Sequence, residues 1–393
     1  MESRHPEKEL LLAVARRELD GSSTGEVREL ARVCSDWDYL LATAFSHGLL
    51  PLLQKNLTAA AADVVPGPVL ARMKRESVAN SQTVLHLIGK QLKVYRLLRD
   101  HGVRVAIFKG AVLAQLAYGE VALRQAGDID ILIDRQHFTE AQSVLESLGY
   151  EMTPRLTAPQ MASHLASHCE IPFMRDEWFT IVDLHWGLAP RSFVFGVEAD
   201  DVMSRLQTVS LAGAAVETFS NEDTVLYQAM HGTKHLWHRL EWIISLAELI
   251  RAANELDWDT VVQRAERAHA TRMLALGLRL VETFTDVEIA TPIFAKLDAS
   301  GVMKELAIEI RDRIFERSHT TESTETNRYN FKIMDRKRDA LVSALRSLFV
   351  PTFPDWQSLA LPTALHPLYY AYRPLRLSKS YLWYFFIRDH RRT

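Results

Sequence analysis

The sequence predicts an α+β fold in which a small mixed β-sheet lies between a helical N-terminal region and a helical C-terminal region. Apolar residues follow helical spacing up to about residue 100. Short β-branched runs then alternate with helical segments between 101 and 218, after which helical spacing returns. We therefore expect three regions, 1–100, 101–218 and 219–393, with the sheet in the middle one.

Two patterns predict the helices of the N-terminal region. Leu10, Leu11 and Val14 begin an apolar stripe at helical spacing. The run Val69–Asp100 keeps this spacing and is followed closely by Gly102, and glycine just past a helix is a common stop. The region is therefore expected to be helical as far as the first strand.

The middle region alternates strands with helices, which favours a small sheet domain. Its first predicted elements, in chain order, are the strand Val103–Phe108, the helix Ala111–Tyr118, the strand Ile129–Ile133 and the helix Phe138–Leu148. Two later apolar runs, Glu170–Met174 and Phe179–His185, flank a polar turn and predict a hairpin.

The C-terminal region returns to helical patterns. Thr224–Ile250 predicts one long helix and Arg336–Leu348 predicts a later one. Between them, His319–Asn327 is polar and unpatterned, which is typical of a loop. The basic, aromatic tail contains Arg373 and Arg376 and could touch nucleic acid or a membrane surface, but a packed helix with a solvated basic edge is favoured.

The composition sets limits on location and partners. The chain is 48% hydrophobic and 24% charged, and its formal net charge of -3 gives no general attraction to nucleic acid or an anionic membrane. Nucleic acid is therefore not expected as a partner. Cys34 and Cys169 cannot form a disulfide framework, and neither a signal-peptide core nor a membrane-spanning apolar run is present. We expect a cytoplasmic protein without a membrane span.

The most informative motif sets two carboxylates one residue apart on a predicted strand. Side chains at i and i+2 of a strand point to the same face, so Asp128 and Asp130 stand side by side. Adjacent carboxylates repel unless a cation neutralises them, and Mg²⁺ held by carboxylates and substrate phosphates is a common solution. A solvated strand face is the structural alternative. The pair favours phosphoryl or nucleotidyl transfer with a divalent cation.

Four further residues fit this chemistry. Asp183 lies within an apolar strand, where a charge is costly unless it is paired or liganded, so it is the candidate third carboxylate. Lys109 and Gly110 lie where a strand turns into a helix, and free N–H groups there favour phosphate. Arg124 could bind a phosphate through two hydrogen bonds. As alternatives, Lys109 lies at the surface, Arg124 pairs with an acid, and Asp183 bonds to backbone or to His185.

These residues resemble the uncharacterised nucleotidyltransferase family of the DNA polymerase β-like superfamily. The motifs that carry the resemblance are Lys109-Gly110, Tyr118, Arg124, Asp128–Ile133, Asp183–Trp186, His231–Trp237, Arg239–Ile243, Leu348–Trp356 and Tyr372–Leu377. Where the superfamily usually opens its motif with Gly-Ser or Gly-Gly, this chain has Lys109-Gly110.

The resemblance implies transfer of a nucleoside monophosphate from an NTP, with ATP as the expected donor and pyrophosphate as the leaving group. It implies that Asp128, Asp130 and Asp183 are catalytic residues and ligands of Mg²⁺ or Mn²⁺. His185 shares a strand face with Asp183, so it would orient that carboxylate or contact the triphosphate. The acceptor would be a small molecule, a biosynthetic intermediate or a protein side chain. The alternative is a non-catalytic module that binds nucleotide or a partner protein.

Histidines form two further groups. His231, His235 and His238 fall on one predicted helix, where His231 and His235 share a face. They are either a zinc pair or, as we favour, structural or substrate-contacting residues. The second group is looser and contains His164, His168, Cys169 and His185. Zinc binding is the less favoured interpretation for this group as well.

Overall fold

The computed structural model describes residues 5–175, 180–253, 256–316 and 323–390. Within them the strands are β1 Val105–Ile107, β2 Asp128–Ile133, β3 Glu151–Met152, β4 Glu170–Arg175, β5 Thr180–His185, β6 Gln207–Leu211 and β7 Ala214–Thr218. The helices before and within the sheet region are α1 Pro6–Val14, α2 Gly21–Val33, α3 Trp37–Ser46, α4 Leu50–Ala61, α5 Gly67–Asp100, α6 Gly110–Tyr118, α7 Phe138–Ser147, α8 Ala158–Ser167 and α9 Ala199–Met203. The later helices are α10 Asn221–Lys234, α11 Leu240–Ala252, α12 Trp258–Arg267, α13 Thr271–Phe284, α14 Thr291–Leu297, α15 Val302–Arg313, α16 Ser323–Ile333, α17 Lys337–Phe349, α18 Phe353–Ser358 and α19 Tyr369–His390.

A five-stranded mixed sheet carries the middle of the chain. Its strand order is β1-β2-β5-β4-β3, and β2 and β5 are its parallel pair, whereas the other neighbours run antiparallel. A separate hairpin is formed by β6 and β7. The predicted α+β fold with a small mixed sheet is confirmed, and this topology places the middle of β2 directly beside the middle of β5.

The alternation of β2 divides its side chains between two environments. Ile129, Ile131 and Ile133 are buried in a core that also contains apolar residues of α5 and α7. Leu132 belongs to the larger core, which joins the helices on both sides of the sheet region. Because Asp130 shares the face of Leu132, its carboxylate lies on the side towards the C-terminal helices. The two helical regions thus build the wall opposite the aspartates.

The long helix predicted over Thr224–Ile250 is wrong, because the chain breaks between α10 and α11. Leu236 and Trp237 have positive φ values of 57° and 52°, which an α-helix does not contain. The break turns the Trp237 ring into the core, where it is fully buried and its Nε1 donates to Thr233 Oγ1 at 3.2 Å. Burial of this large ring outweighs continued helical hydrogen bonding.

Two other predictions, a loop at 319–327 and a hairpin turn before residue 180, lie partly or wholly outside the described residues. Helix α16 begins at Ser323, so the loop predicted as far as Asn327 is wrong for residues 323–327, while 319–322 lie outside the described residues. The hairpin of β4 and β5 has the predicted pairing, and its turn at 176–179 also lies outside them. Hairpin β6–β7 was not predicted as separate strands.

Among the residues that the structure describes, no helix has both the length and the apolar character required to cross a lipid bilayer.

Candidate active site

Asp130 and Asp183 are direct neighbours on the parallel pair of strands. The register of β2 and β5 sets Asp130 opposite Asp183 and Asp128 opposite Ile181, so all three aspartates lie on one face of the sheet. Asp130 is only 2% exposed, Asp183 is partly buried, and Asp128 at the start of β2 is the most exposed of the three. The sequence-predicted carboxylates are therefore brought together by the fold.

Lys109 forms an ion pair with the most deeply buried of these carboxylates. Its Nζ donates to Asp130 Oδ1 at 2.5 Å, and the same nitrogen lies 5.2 Å from the centre of the Phe108 ring. Burial alone would lower the pKa of Lys109, but the charge of Asp130 outweighs burial and the pKa is raised well above its usual value. Lys109 is thus the cation that balances Asp130 in this structure.

The backbone of Lys109 is strained. Its φ of 59° and ψ of -154° place it in a region that is essentially restricted to glycine, and it is the residue before helix α6. Gly110 follows with a φ of 41°. A lysine held in such a conformation costs about 1–3 kcal/mol, which other contacts must offset. The contact that its side chain makes with Asp130 is one such offset.

His185 links Asp130 to a fourth carboxylate. Its Nε2 lies 3.0 Å from Asp130 Oδ1 and its Nδ1 lies 3.0 Å from Glu170 Oε2, while Lys234 lies 4.0 Å from the other oxygen of Glu170. Burial raises the pKa of Glu170, but the charges of His185 and Lys234 outweigh it, so the pKa is lowered. Since His185 is 1% exposed, it is placed to orient Asp130 rather than to meet a ligand in solution.

Arg124 is held by an acid that the sequence did not single out. Glu241 is buried and lies 2.7 Å from Arg124 and 2.9 Å from Arg239, so one carboxylate fixes two guanidinium groups. The backbone N–H of Glu241 also donates to the carbonyl of His47 at 3.1 Å. Arg124 is therefore paired with an acid, which was the alternative considered from the sequence. The pairing places both arginines at one edge of the aspartate face.

These groups surround one cleft with a volume of about 380 Å³. Its lining combines acids and bases with two histidines and a tryptophan: Lys109, Gly110, Arg124, Gln125, Ala126, Gly127, Asp128, Asp130, Glu170, Asp183, His231, Lys234, His235, Arg239, Glu241 and Trp242. The α10–α11 segment supplies the wall opposite the sheet. Thus six of the seven predicted site residues line the cleft, and His185 is buried next to Asp130.

The carboxylates of the cleft hold more negative charge than Lys109 alone balances. Burial and the charges of Asp130 and Asp128 raise the pKa of Asp183 to about 6. Desolvation by the surrounding protein and the charge of Asp130 also raise the pKa of Asp128. Burial opposes ionisation of Asp130 as well, but Lys109 and His185 hold its pKa well below the usual range. Negative charge is therefore concentrated beside Asp128 and Asp183.

The histidines of the cleft do not form the predicted helical trio. Helix α10 ends at Lys234, so His235 caps it and His238 lies beyond it, and the placement of all three on one helix is wrong. The rings of His231 and His235 are 4.7 Å apart at their centres and both contact Trp242. Burial and nearby lysine charges lower the pKa of His231 well below its usual value and that of His235 to about 4. Both rings are therefore neutral at physiological pH.

Two sets of potential metal ligands lie in or next to the cleft, and they differ in chemistry and in spacing. Among the described residues, Cys169, Glu170 and His185 form the trio whose potential ligand atoms all lie within 4.8 Å of one another. Burial and the charge of Glu170 raise the pKa of Cys169 to about 12, so without a metal this residue is a neutral thiol. Carboxylate oxygens suit Mg²⁺ and Mn²⁺, although the three aspartates must draw closer together than in this structure to share one ion.

Several residues of the cleft were missed from the sequence, although three had a usable signal. Glu170 pairs with His185 across the β4–β5 hairpin, so the hairpin register alone would have placed it there. Lys234 and Arg239 lie within or next to the histidine-bearing segments that supported the resemblance. Glu241 and Trp242 lie in the motif Arg239–Ile243, but their approach to the cleft depends on how α11 packs against α6, which no local pattern specifies.

The protein has a mixed sheet with paired aspartates beside a Lys-Gly turn at the start of a helix. Together with a family match, these features identify it as a nucleotidyltransferase by class. A family model described as "Uncharacterised nucleotidyltransferase" matches residues 34–286. The chain belongs to this uncharacterised nucleotidyltransferase family, and the expected resemblance is confirmed over that range. The motifs at 348–356 and 372–377 lie beyond the matched residues.

Two solved structures are similar to parts of this chain. The antibiotic-resistance factor ANT(2'')-Ia is 17% identical, with a TM-score of 0.32, over 48% of this chain and 91% of that chain. An antigenic nucleotidyltransferase-like protein from Paracoccidioides brasiliensis is 15% identical, with a TM-score of 0.26, over 48% of this chain and 91% of that chain. No curated protein sequence matches.

Proposed function

We propose that the protein transfers a nucleoside monophosphate from an NTP to a hydroxyl acceptor and releases pyrophosphate. The observation that carries this proposal is the pairing of Asp130 with Asp183 on β2 and β5, at the floor of a cleft whose edges hold basic side chains. Nucleotidyl transfer needs carboxylates for a cation and cations for phosphates, and this cleft offers both within one space. Family membership supports the same reaction class.

Asp128, Asp130 and Asp183 would hold Mg²⁺ or Mn²⁺. They are three oxygen donors on one face of the sheet, and the raised pKa values of Asp183 and Asp128 mark an excess of negative charge there. When bound, the divalent cation would neutralise the triphosphate and make the acceptor hydroxyl more acidic. Lys109 would leave Asp130 when the ligand arrives and turn its ammonium to a phosphate.

The triphosphate would lie between Gly110 and the two arginines. Gly110 begins helix α6, whose free N–H groups and dipole favour an anion. Arg124 and Arg239 are held in place by Glu241, so little side-chain entropy is lost when they meet a phosphate. His185 would keep Asp130 in the orientation that ligation requires, with the charge of Glu170 close to the ring on its other side.

The acceptor would approach from the α10–α11 wall, where His231, His235 and Trp242 meet the cleft. Its hydroxyl oxygen forms the new bond to the α-phosphorus, the bond from that phosphorus to the bridging oxygen breaks, and pyrophosphate leaves. Asp183 would accept the hydroxyl proton, and its partly buried position beside Asp130 supports this role. ATP is the expected donor, and a small molecule or a protein side chain is the expected acceptor.

The test separates transfer from binding. Each NTP, radiolabelled at the α-phosphate, is incubated with the protein, Mg²⁺ and fractions of a cell extract as a source of acceptors. We expect the label to appear in a product and unlabelled pyrophosphate to be released, and both should require Mg²⁺. We expect Asp130→Asn to abolish both. Asp134→Asn is the matched control, because Asp134 follows the end of β2 and lies 4.0 Å from His137, away from the cleft.

Calorimetry on the same proteins completes the test. If the wild type binds neither NTP nor Mg²⁺, the proposal is wrong. If it binds both but no fraction accepts label, and Asp130→Asn binds equally well, the non-catalytic nucleotide-binding module is the better account.

A further inference from the structure

Most of helix α17 is exposed, and its large apolar residues face solvent and not the protein. Its large apolar residues recur at helical spacing and form one stripe: Leu341, Val342, Leu345, Leu348 and Phe349. Each is between 36% and 60% exposed, and none belongs to the buried core of the described residues. A surface helix of a globular protein normally has the reverse arrangement. This stripe is called the outer stripe of α17 below.

The opposite side of α17 is attached to the body by polar contacts. Asp339 is buried and Ala340 packs against the main core. Ser343 donates to the carbonyl of Ser192, and Arg346 donates to the carbonyl of Arg191 at 2.9 Å. At about 100° per residue, these positions lie on the far side of the helix from the outer stripe. These specific contacts therefore set the orientation of the helix.

Elements close to α17 in the chain also expose apolar residues. Leu365, Leu368 and Tyr370 are exposed just before and at the start of α19, and Leu375 on that helix is 68% exposed. Single exposed apolar residues need no explanation, but a helical stripe such as that of α17 is typical of an interaction surface.

The same part of the chain is strongly basic, although the protein as a whole is slightly acidic. Residues 336–393 contain 10 Lys and Arg and 3 Asp, a net charge of +7. The whole chain has 46 basic and 49 acidic residues, so residues 1–335 have 36 and 46, a net charge of -10. Arg336, Lys337 and Arg338 are exposed where α17 begins, and Lys379 is exposed on α19. The outer stripe is thus bordered by cations.

We propose that this face, the outer stripe of α17 with its basic border, docks on an anionic lipid surface. Apolar side chains enter the boundary between headgroups and acyl chains, while Lys and Arg contact the anionic headgroups. The sequence between 381 and 392 is rich in aromatic and basic residues, a composition typical of an interfacial segment. The proposal is independent of the reaction proposed above.

Two other occupants fit the face less well. A second copy that packed its outer stripe on this one would bring two regions of net charge +7 together, and their repulsion opposes such a dimer. Nucleic acid would use the cations but would leave the aliphatic stripe exposed to water. A lipid surface satisfies both the apolar stripe and its basic border.

The experiment is vesicle flotation with the full-length protein. Vesicles of phosphatidylcholine alone are compared with vesicles in which phosphatidylglycerol is added. We expect flotation with the anionic vesicles, weaker flotation in high salt, and a loss of about tenfold or more in the combined variant Leu341→Gln, Leu345→Gln, Leu348→Gln. Lys337→Gln with Arg338→Gln should weaken flotation with anionic vesicles only.

The matched control is Leu85→Gln, because Leu85 is 57% exposed on α5 and lies outside the face. It should float like the wild type, and all variants should keep the wild-type circular dichroism spectrum. Failure of the wild type to float, equal flotation of the outer-stripe variant, or equal loss in the Leu85 control would overturn the proposal. A wild-type dimer that the outer-stripe variant converts to monomer, without vesicle binding, would instead identify a second copy as the occupant.

Discussion

Lys109 donates to Asp130 at 2.5 Å from a backbone conformation that is normally restricted to glycine. The strain and the ion pair have opposite effects on stability, and two substitutions at this position separate them. Lys109→Ala removes the ion pair and keeps the strain, whereas Lys109→Gly removes both. Either change leaves a buried Asp130 charge without its cation, which destabilises a protein by about 3–5 kcal/mol.

We therefore predict that Lys109→Gly is more stable than Lys109→Ala by about 1–3 kcal/mol, because only glycine relieves the strain. Urea denaturation of both variants, without divalent cations, measures the difference. Equal stability of the two variants would show that the backbone of residue 109 is not strained. Saturating Mg²⁺ should recover part of the stability of both variants, because it would replace the missing ammonium.

The raised pKa of Asp183 predicts that metal binding depends on pH. Its carboxyl has a pKa of about 6 in the metal-free protein, so at lower pH it must release a proton before it can bind a cation. The affinity for Mn²⁺ should therefore fall about tenfold between about pH 7 and about pH 5, and rise again as the pH is raised. Calorimetry in two buffers of different ionisation enthalpy should detect the released proton near pH 6.

Asp183→Asn is the control for this pH dependence. The variant should bind Mn²⁺ more weakly at every pH and should lose the step near the pKa of about 6 that belongs to Asp183. An unchanged step in the variant would assign the titration to another group.

Glu170 is predicted to act through His185. Glu170→Gln removes the charge beside His185 Nδ1 but keeps the shape of the side chain. We expect Mn²⁺ affinity to fall about 10–100-fold, as it does when residues that orient metal ligands are replaced, with little change in unfolding free energy. Glu151→Gln on β3 is a suitable control, since that acid pairs with exposed Arg155. Similar metal affinity in both variants would remove Glu170 from the account.

Gly48 offers a test of the arginine pair from outside the cleft. A Cβ at Gly48 would lie 1.9 Å from Glu241 Oε2, so Gly48→Ala must displace the carboxylate that fixes Arg124 and Arg239. Gly102 has nearly the same φ, +75° against +74°, but nothing lies within 4 Å of its added Cβ. Gly102→Ala therefore measures the backbone strain alone, about 1–2 kcal/mol.

We predict that Gly48→Ala destabilises the protein by more than Gly102→Ala and weakens NTP binding, whereas Gly102→Ala leaves NTP binding unchanged. Thermal unfolding and nucleotide titration of the two variants provide the comparison. If both variants bind NTP like the wild type, Glu241 does not organise the phosphate site.

The short-range part of the site could be predicted from the sequence because it follows from strand periodicity. The i, i+2 spacing places Asp128 and Asp130 on one face, and a charge inside an apolar run drew attention to Asp183. The strand β5 that carries Asp183 did pair with β2. The same reasoning could have reached Glu170, since the hairpin register fixes its position beside His185.

The rest depends on contacts between distant segments. Glu241 approaches Arg124 only because the chain breaks before α11 to bury Trp237, and helical spacing gave no sign of that break. The ion pair of Lys109 with Asp130 likewise joins two separate elements, the turn before α6 and the strand β2. Local patterns do not specify how such elements pack together.

The central claim is that Asp128, Asp130 and Asp183 together hold a divalent cation against the triphosphate of an NTP. The most direct test is anomalous diffraction from crystals grown with Mn²⁺ and a non-hydrolysable ATP analogue. We predict a manganese peak bound by these three carboxylates and by phosphate oxygens, with Lys109 turned away from Asp130. A peak bound instead by Cys169, Glu170 and His185, or nucleotide density without any peak at the aspartates, would contradict the claim.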